Sequence, residues 1–207
     1  MRRSSASLHK FALLLSTSLL LAACAPMQVK QHAGNAADES AQQMRETALA
    51  DRMHWSLAAH IGVSNEHDSG SGELDWQQDG AAYTFTVRAP VTGKTWKLSG
   101  DEGHAKLEGV EARPIEGDDP EQLLRERVGW DVPLVALRAW VLGARAPAAP
   151  AQVSYADSGL PAKIAQSGWS VEYRDWYTDR NPPLPKRVFA TRGATRVKMA
   201  IESWGLE

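Results

Sequence analysis

Residues 55–63 read WSLAAHIGV, and every second position in this stretch is apolar. Leu57, Ala59, Ile61 and Val63 would share one face of an extended chain, because successive side chains of a strand point to opposite sides. Alternation of this kind is typical of a β-strand with one buried face. The stretch therefore predicts a strand that contributes one of its sides to a core.

The same period of two recurs along the chain. It is found at residues 73–76, 83–88, 95–99, 106–108, 169–174 and 196–202. Turn residues such as Asp79-Gly80 separate the early runs, and a rigid loop is expected at residues 181–185. Short strands with one apolar face and turns between them indicate a meandering antiparallel sheet that is wet on one side.

Two short helices are predicted between the strands, over about residues 118–143. Asp119 is expected to cap the first, with Pro120 at its first helical position and Gln122 completing a capping box. The second is expected over residues 133–143 and has an apolar stripe. That stripe consists of Leu134, Leu137, Trp140 and Val141.

These elements predict a mainly β fold of the α+β class, a curved antiparallel sheet with the two helices inserted as a lid over its open mouth. The lid would face aromatic and apolar side chains on the inner wall. Those side chains are Trp76, Tyr83, Phe85, Trp96, Trp169, Val171 and Tyr173. Two interpretations stay open: a hydrophobic cavity under the lid, or a filled core, which is the more common role for any single residue of this set.

Signals for catalysis and for metal binding are poor. The six histidines form no His-Glu-x-x-His or other metal spacing, and the chain has no Gly-x-Ser-x-Gly motif and no phosphate-binding loop. An acidic cluster at residues 116–121 is explained by its position at a helix start, where carboxylates complement the helix dipole. We therefore expect no enzyme activity, no catalytic residue, no metal and no cofactor.

The N-terminal 24 residues resemble a bacterial lipoprotein leader. A basic start precedes an apolar run that ends in Leu21-Ala22-Ala23-Cys24, and Cys24 is the only cysteine of the chain. This pattern predicts a signal peptide at residues 1–23 and acylation of Cys24. An ordinary signal peptide with an incidental cysteine is the alternative. Residues 24–37 are expected to form a flexible tether, followed by a helix over 38–53 whose apolar face carries Met44, Ala48 and Met53.

Charge argues against nucleic acid as a partner. The chain has a formal net charge of −2, and removal of residues 1–23 takes away Arg2, Arg3 and Lys10 and brings it to −5. Phosphate backbones are bound by clustered Lys and Arg, which the sequence lacks. It also shows no polybasic run for anionic lipid, so acyl chains on Cys24 would have to anchor the protein in the membrane.

The order of several motifs between residues 50 and 205 resembles the LolB family of outer-membrane lipoprotein receptors of Gram-negative bacteria. The matching residues are Trp55, Leu57, 61–63, Gly72, Leu74, Trp76, Gln77, Pro90, Gly93, Leu123, Leu124, Val128, Gly129, Gln166, 168–169, Val171, Tyr173, Pro185, Val197, Met199, Ile201 and Trp204. The most specific segment is Pro133-Leu134-x-x-Leu137-x-x-Trp140-Val141-x-Gly143.

The resemblance implies an open, incomplete β-barrel at residues 38–207, closed by a helical lid over a cavity for acyl chains. It implies that a soluble periplasmic carrier, LolA, delivers triacylated lipoproteins, which this protein inserts into the outer membrane without ATP. A monomer facing the periplasm is expected. Ala25 agrees, since Asp after the acylated cysteine is the usual inner-membrane retention signal in that system.

The resemblance also implies a protruding loop with an exposed apolar residue that assists membrane insertion, usually Leu directly before Gly. Here the loop reads Pro90-Val91-Thr92-Gly93, so Val91 is the candidate. Three other interpretations stay open. They are an envelope lipoprotein that binds free lipid or lipopolysaccharide in the same cavity, a tethered hydrolase with an unfamiliar site, and a structural module with a filled core.

Overall fold

The computed structural model describes residues 29–89, 93–147 and 149–206, so the predicted leader, Cys24 and Val91 lie outside the described residues. The strands are β1 (Gln31–Ala33), β2 (His54–Ser64), β3 (Ser69–Asp79), β4 (Ala82–Arg88), β5 (Thr95–Gly100), β6 (Ala105–Glu108), β7 (Ile115–Gly117), β8 (Ala151–Ala156), β9 (Pro161–Gln166), β10 (Trp169–Tyr177), β11 (Leu184–Arg192) and β12 (Thr195–Leu206). The helices are α1 (Ala36–Ala50), α2 (Pro120–Leu123) and α3 (Leu134–Val141), and a π-helical turn (Leu124–Val128) directly follows α2.

All twelve described strands belong to one antiparallel sheet in the order β1-β8-β9-β10-β11-β12-β2-β3-β4-β5-β6-β7. The two edge strands, β1 and β7, do not pair with each other, so the sheet is open. Each edge strand has only three residues, which limits the length of unpaired backbone at the edges. The predicted fold class, a mainly β open antiparallel sheet with inserted helices, is confirmed.

The position of the lid follows from the strand order. The chain leaves the sheet at β7, on one edge, and re-enters at β8, next to the other edge. The connection between them, residues 118–143, therefore crosses the apolar side of the sheet. We call this side, which carries the buried residues of each strand such as Leu57 and Ile61, the inner face. The opposite side, which carries residues such as His60 and Ser64, is the outer face.

Helix α1 begins and packs differently from the prediction. Asn35 caps it by accepting hydrogen bonds from the backbone of Ala37 and Asp38, so it starts before residue 38. The predicted apolar face is wrong, since Met44 and Met53 are 66% and 55% exposed. The buried residues of α1 are Gln42, Arg45 and Leu49. Two of these three are polar, so α1 is held to the rest of the molecule mainly by hydrogen bonds.

Part of the expected tether is ordered. Gln31–Ala33 forms β1 and pairs with β8, with His32 opposite Tyr155, so the tether prediction is wrong for these three residues. Strand β11 also extends the predicted sheet, because it begins at Leu184, inside the expected rigid loop.

Within the described ranges, no helix has both the length and the apolar character needed to cross a membrane. The same residues contain no group of three or more His, Cys, Asp or Glu side chains that could hold a metal ion.

Candidate functional site

A row of aromatic rings crosses the inner face from β12 to the lid. In spatial order it consists of Trp204, Trp55, Trp76, Phe85, Trp96 and Trp130. Neighbouring ring centroids lie between 5.2 and 5.8 Å apart. The strand register produces the row, because it sets Trp76 directly opposite Phe85 on neighbouring strands. The rings present a broad wall with few polar atoms.

The lid and this wall enclose a cavity of about 320 Å³. Trp76 and Phe85 supply the sheet side, and Leu134 with Pro120 supplies the lid side. Four of the residues expected under the lid therefore meet around one apolar space: Trp76, Tyr83, Phe85 and Leu134. Small-ligand pockets have volumes of roughly 300–1,000 Å³, so this cavity is at the small end of the range.

The other residues expected to line a cavity instead fill the core beside it. They are Trp96, Leu137, Trp140, Val141, Trp169, Val171 and Tyr173, and all are buried. Trp140 lies with its ring centroid 5.8 Å from that of Trp169, and the Tyr173 hydroxyl donates a 2.9 Å hydrogen bond to the Trp140 carbonyl. The half of the inner face formed by β9 and β10 is thus tightly packed, and the open space lies over β3 and β4.

Charged groups mark the mouth of the cavity. Asp101, Glu102 and Arg138 line its outer end. Arg138 donates a 2.6 Å hydrogen bond to the Gly80 carbonyl, which ties α3 to the turn between β3 and β4, and burial lowers the pKa of its guanidinium. Burial also raises the pKa of Tyr83, on the cavity wall, to about 12, with a smaller contribution from nearby carboxylates. The cavity is therefore apolar inside and charged at its rim.

The two ends of the lid are held in different ways. At the C-terminal end of α3, the side chain of Gln166 accepts hydrogen bonds from Trp140 Nε1 at 3.0 Å and from the Ala146 backbone at 2.8 Å. The amide of the same Gln166 donates to the Ala146 and Ala149 carbonyls, so all four of its bonds fix this end. At the other end of α3, Pro133 provides no side-chain cap, but the carboxylate of Glu121 accepts a 3.3 Å hydrogen bond from the backbone of Val135, a residue that is 67% exposed.

A few surface contacts close the free end of the lid. Asp131 forms a 2.9 Å ion pair with Arg192 on β11. Asn65, in the turn after β2, donates a 3.1 Å hydrogen bond to the Gly129 carbonyl. Exposed ion pairs contribute about 0–1 kcal/mol, so these surface contacts add little to the apolar packing of Leu124, Trp130 and Val132, which are buried at this end of the lid.

The predicted start of the lid is largely confirmed. Asp119 caps α2 and accepts from the backbone of Glu121 and Gln122 at 2.8 and 3.0 Å. The predicted capping box is wrong, because the Gln122 side chain does not bond back to the backbone of Asp119 and its amide donates to Glu126.

The buried Arg45 and, in the aromatic row, Trp130 were not identified from the sequence. Gln166 and Trp204 match the family pattern, but the pattern assigned Gln166 no role in holding the lid and Trp204 no place in the row. Arg45 belongs to no periodic pattern that could have identified it. Trp130 could have been noticed, since it directly follows Gly129, the residue predicted to end the first lid helix.

Comparisons with known proteins agree with this architecture. A family model described as outer membrane lipoprotein LolB matches residues 53–204. An outer-membrane lipoprotein LolB from Xanthomonas campestris pv. campestris (strain 8004) is 38% identical over 176 residues, which cover 81% of this chain and 81% of that protein. The corresponding protein from Xylella fastidiosa (strain Temecula1) is 31% identical over 198 residues, covering 92% of this chain and 91% of its own.

A solved structure supports the fold independently. The crystal structure of a LolA superfamily protein from Nitrosomonas europaea matches with a TM-score of 0.52 at 10% identity, over 82% of this chain and 93% of that one. At that identity the likeness concerns the fold alone. The family match over residues 53–204 and the identity to relatives over most of the chain go further, and they show that the chain belongs to the LolB family of outer-membrane lipoproteins.

Proposed function

We propose that this protein is an outer-membrane-anchored receptor that takes triacylated lipoproteins from a LolA-type periplasmic carrier and inserts them into the outer membrane. The observation that carries the proposal is the apolar cavity between the aromatic row and the lid, at Trp76, Phe85 and Leu134. Its chemistry suits an acyl chain. The relatives in the LolB family, which are named as outer-membrane lipoproteins, support the cellular setting.

Acyl chains explain why such a receptor is needed. Each methylene buried away from water contributes about 0.8 kcal/mol, so several acyl chains do not leave a protein or a bilayer for water unaided. A receptor that binds them better than the carrier, and less well than the membrane, makes transfer directional. A tenfold bias needs only about 1.4 kcal/mol at each step, so no ATP is required.

The lid has to move in this proposal, because a cavity of about 320 Å³ is too small for three acyl chains. The contacts of the lid suggest how. Its C-terminal end is fixed by the buried hydrogen bonds of Trp140, Gln166 and Arg45. Its N-terminal end is held instead by apolar packing, as of Leu124 and Trp130, and by the surface contacts of Gly129 and Asp131. Opening would swing α2 and the start of α3 away from Trp76 and widen the cavity over β3 and β4.

The proposed anchor is Cys24, acylated after removal of residues 1–23, with the domain facing the periplasm as a monomer. Val91 is proposed to enter the membrane during insertion. Ala89 and Gly93, the described residues on either side of residues 90–92, are joined by a 2.9 Å backbone hydrogen bond.

A transfer experiment tests the proposal. The chain with Cys24→Ala, which removes the acylation site, is mixed with a LolA-type carrier loaded with a triacylated lipoprotein, and the position of the lipoprotein is followed without ATP. We expect net transfer to this protein. Leu134→Trp, which fills the cavity, should reduce transfer, while Val110→Trp, at a surface turn outside the cavity lining, should not.

If the lipoprotein stays on the carrier, the receptor function is wrong. Uptake of fluorescent fatty acid or lipopolysaccharide under the same conditions would then favour an envelope protein that binds free lipid in this cavity. Failure of both transfer and lipid uptake would indicate a structural module.

A further inference from the structure

The outer face contains a recess of about 450 Å³ where β12, β2 and β3 run side by side. Small or charged residues surround it. Its lining consists of Gly62, Val63, Ser64, Ser69, Gly70, Ser71, Ala89, Arg196 and Lys198. This recess lies on the opposite side of the sheet from the acyl-chain cavity, since Gly62 and Ser64 alternate with the buried Ile61 and Val63.

No steric constraint in the fold requires a glycine at residue 62, which lines the recess. A Cβ atom at Gly62 would meet no atom closer than 4.0 Å, the Gly70 carbonyl oxygen, and its backbone is not in the left-handed region. Gly72 on the next strand differs, because a Cβ there would lie 2.6 Å from the Arg88 carbonyl oxygen. A glycine inside a strand weakens the strand and often marks a place where a ligand approaches closely. Gly62 therefore keeps open a space that folding alone does not require.

The recess is positively charged. Arg196 and Lys198 line it from β12. Neither of these two cations forms an ion pair with another described residue. The hydroxyl groups of Ser64, Ser69 and Ser71 likewise have no hydrogen-bond partner in the described part of the chain. Cationic side chains together with hydroxyl hydrogen-bond donors are groups that typically bind a phosphate.

The nearby carboxylates do not neutralise these cations. Glu73 is paired with Arg88 at 3.4 Å. Asp68, in the turn between β2 and β3, lies beside Gly129 of the lid, on the inner side. Glu66 in the same turn is exposed and does not line the recess.

The recess includes the last described residue before the proposed insertion loop, Ala89. The Ala89 backbone donates to the Lys94 carbonyl at 2.8 Å, and the Gly93 backbone donates to the Ala89 carbonyl at 2.9 Å. A membrane reached by residues 90–92 would therefore bring lipid headgroups close to Arg196 and Lys198.

We propose that this recess binds the phosphate of an anionic phospholipid headgroup at the membrane surface, and so holds the protein with its insertion loop against the bilayer. The sequence shows no polybasic run, but folding brings the two cations of β12 next to the serines of β2 and β3. The inference rests on the proposed function only in assuming that the protein acts at a membrane surface. The recess binds a different ligand from the acyl-chain cavity and lies on the opposite face of the sheet.

Sedimentation with vesicles tests the proposal, using residues 25–207 so that neither the apolar leader nor an acyl anchor contributes. Vesicles of phosphatidylcholine with phosphatidylglycerol should bind the chain, and vesicles of phosphatidylcholine alone should bind it much less. Arg196→Gln with Lys198→Gln should weaken binding about 30-fold, from the usual contribution of a cation near an anionic surface. Gly62→Leu should fill the recess and weaken binding about tenfold, as for loss of one charge-assisted hydrogen bond.

The matched control is Lys97→Gln with Lys106→Gln, which changes the net charge equally but removes cations already paired with Glu108. It should bind nearly as well as the parent chain. Gly62→Leu should also unfold at a urea concentration at least as high as the parent, because leucine is a better strand residue than glycine. Weak vesicle binding by Gly62→Leu would then be caused by the filled recess and not by loss of the folded structure.

Equal binding by Gly62→Leu and the parent would overturn the proposal, as would equal loss in the Lys97 and Lys106 control. Retention of free glycerol phosphate without retention on vesicles would replace the membrane by a soluble phosphate. Lipoprotein transfer from the carrier separates this inference from the proposed function. If the chain bound vesicles through Arg196 and Lys198 but accepted no lipoprotein, the phosphate-binding recess would be supported and the proposed receptor function would be wrong.

Discussion

Arg45 on α1 donates a 2.8 Å hydrogen bond from Nη1 to the carbonyl oxygen of Gly143, just beyond α3. Its guanidinium also donates to the carbonyls of Leu142 and Pro183 and lies over the ring of Trp176 at 4.8 Å. Burial lowers the pKa of Arg45 to about 10, which leaves it charged at neutral pH. One buried cation thus joins α1, the fixed end of the lid and the loop before β11.

Arg45→Met should destabilise the protein by about 3 kcal/mol. The substitution keeps an unbranched apolar chain but leaves several buried carbonyl oxygens without a donor, which costs about 1–3 kcal/mol each before relaxation. Urea unfolding measures the change. Met44→Ala on the exposed side of α1 is the control and should stay within about 0.5 kcal/mol of the parent. A loss as small for Arg45→Met as for Met44→Ala would show that Arg45 does not fix the lid.

Gly143→Ala should also lower the free energy of unfolding. Comparison with Gly193→Ala separates the effect of a steric clash from that of backbone strain. Gly143 has φ +71°, and a Cβ there would lie 2.5 Å from the ring of Trp176. Gly193 has φ +58°, but a Cβ there would meet no atom within 4 Å. Backbone strain alone costs about 1–2 kcal/mol in either case. We expect Gly143→Ala to lose clearly more unfolding free energy than Gly193→Ala, and equal losses would contradict the clash.

The sequence predicted those parts of the fold in which burial or helix capping leaves a regular pattern of residue types. Strand β2 was identified because one of its faces is buried along its whole length. The lid was identified because Asp119, Pro120 and Gly143 interrupt the chain where helices begin and end. Strand β11 was missed because Pro185 and several basic residues interrupt its alternation.

The cavity and α1 depend on details that periodicity does not contain. Whether a lid leaves space depends on how far its large side chains reach, and Trp140 fills one half of the inner face while Leu134 leaves room in the other. Helix α1 was given a wrong apolar face because its attachment is polar, through Gln42 and Arg45.

Acid should loosen the contact between α1 and the connector after α3. Burial by itself would raise the pKa of Glu46, but hydrogen bonds from Arg145, the shortest at 2.7 Å, outweigh it and hold the pKa below the ordinary value. A carboxyl with a lowered folded-state pKa stabilises the fold above its ordinary pKa of about 4.3, and this contribution is lost as the pH falls through the folded-state value.

Glu46→Gln should therefore flatten the decline of unfolding free energy below about pH 4.3, which urea unfolding at a series of pH values would show. Glu66→Gln, in the exposed turn after β2, is the control. A decline as steep in Glu46→Gln as in the parent would mean that other carboxyl groups account for it.

Val91→Glu should leave lipoprotein binding intact and impair release into membranes. A charged side chain in the insertion loop would have to enter the bilayer, where an acidic residue is strongly disfavoured. Release into vesicles from a preloaded complex measures the effect. Val110→Glu, at an exposed turn between β6 and β7, should release normally. Equal release by Val91→Glu and the parent would remove Val91 from the mechanism.

A disulfide between the lid and the sheet should prevent uptake of acyl chains. A Cβ atom at Gly129 would lie 3.9 Å from the Cβ of Asp68, within the range of about 3.5–4.5 Å found in disulfides. In the Cys24→Ala chain, Asp68→Cys with Gly129→Cys creates the only possible pair, because the natural sequence has a single cysteine. Gly129 has φ +78°, so the cysteine there costs about 1–2 kcal/mol.

The oxidised chain should fail to take up a fluorescent long-chain fatty acid, and reduction should restore uptake in the same sample. Restoration shows that the fold survives the strained cysteine at residue 129, and Gly129→Cys alone should take up the probe under either condition. Because the bond holds only the N-terminal end of the lid, blocked uptake would place the opening movement at α2 and the start of α3. Uptake by the oxidised chain as rapid as by the reduced one would mean that acyl chains enter without this movement.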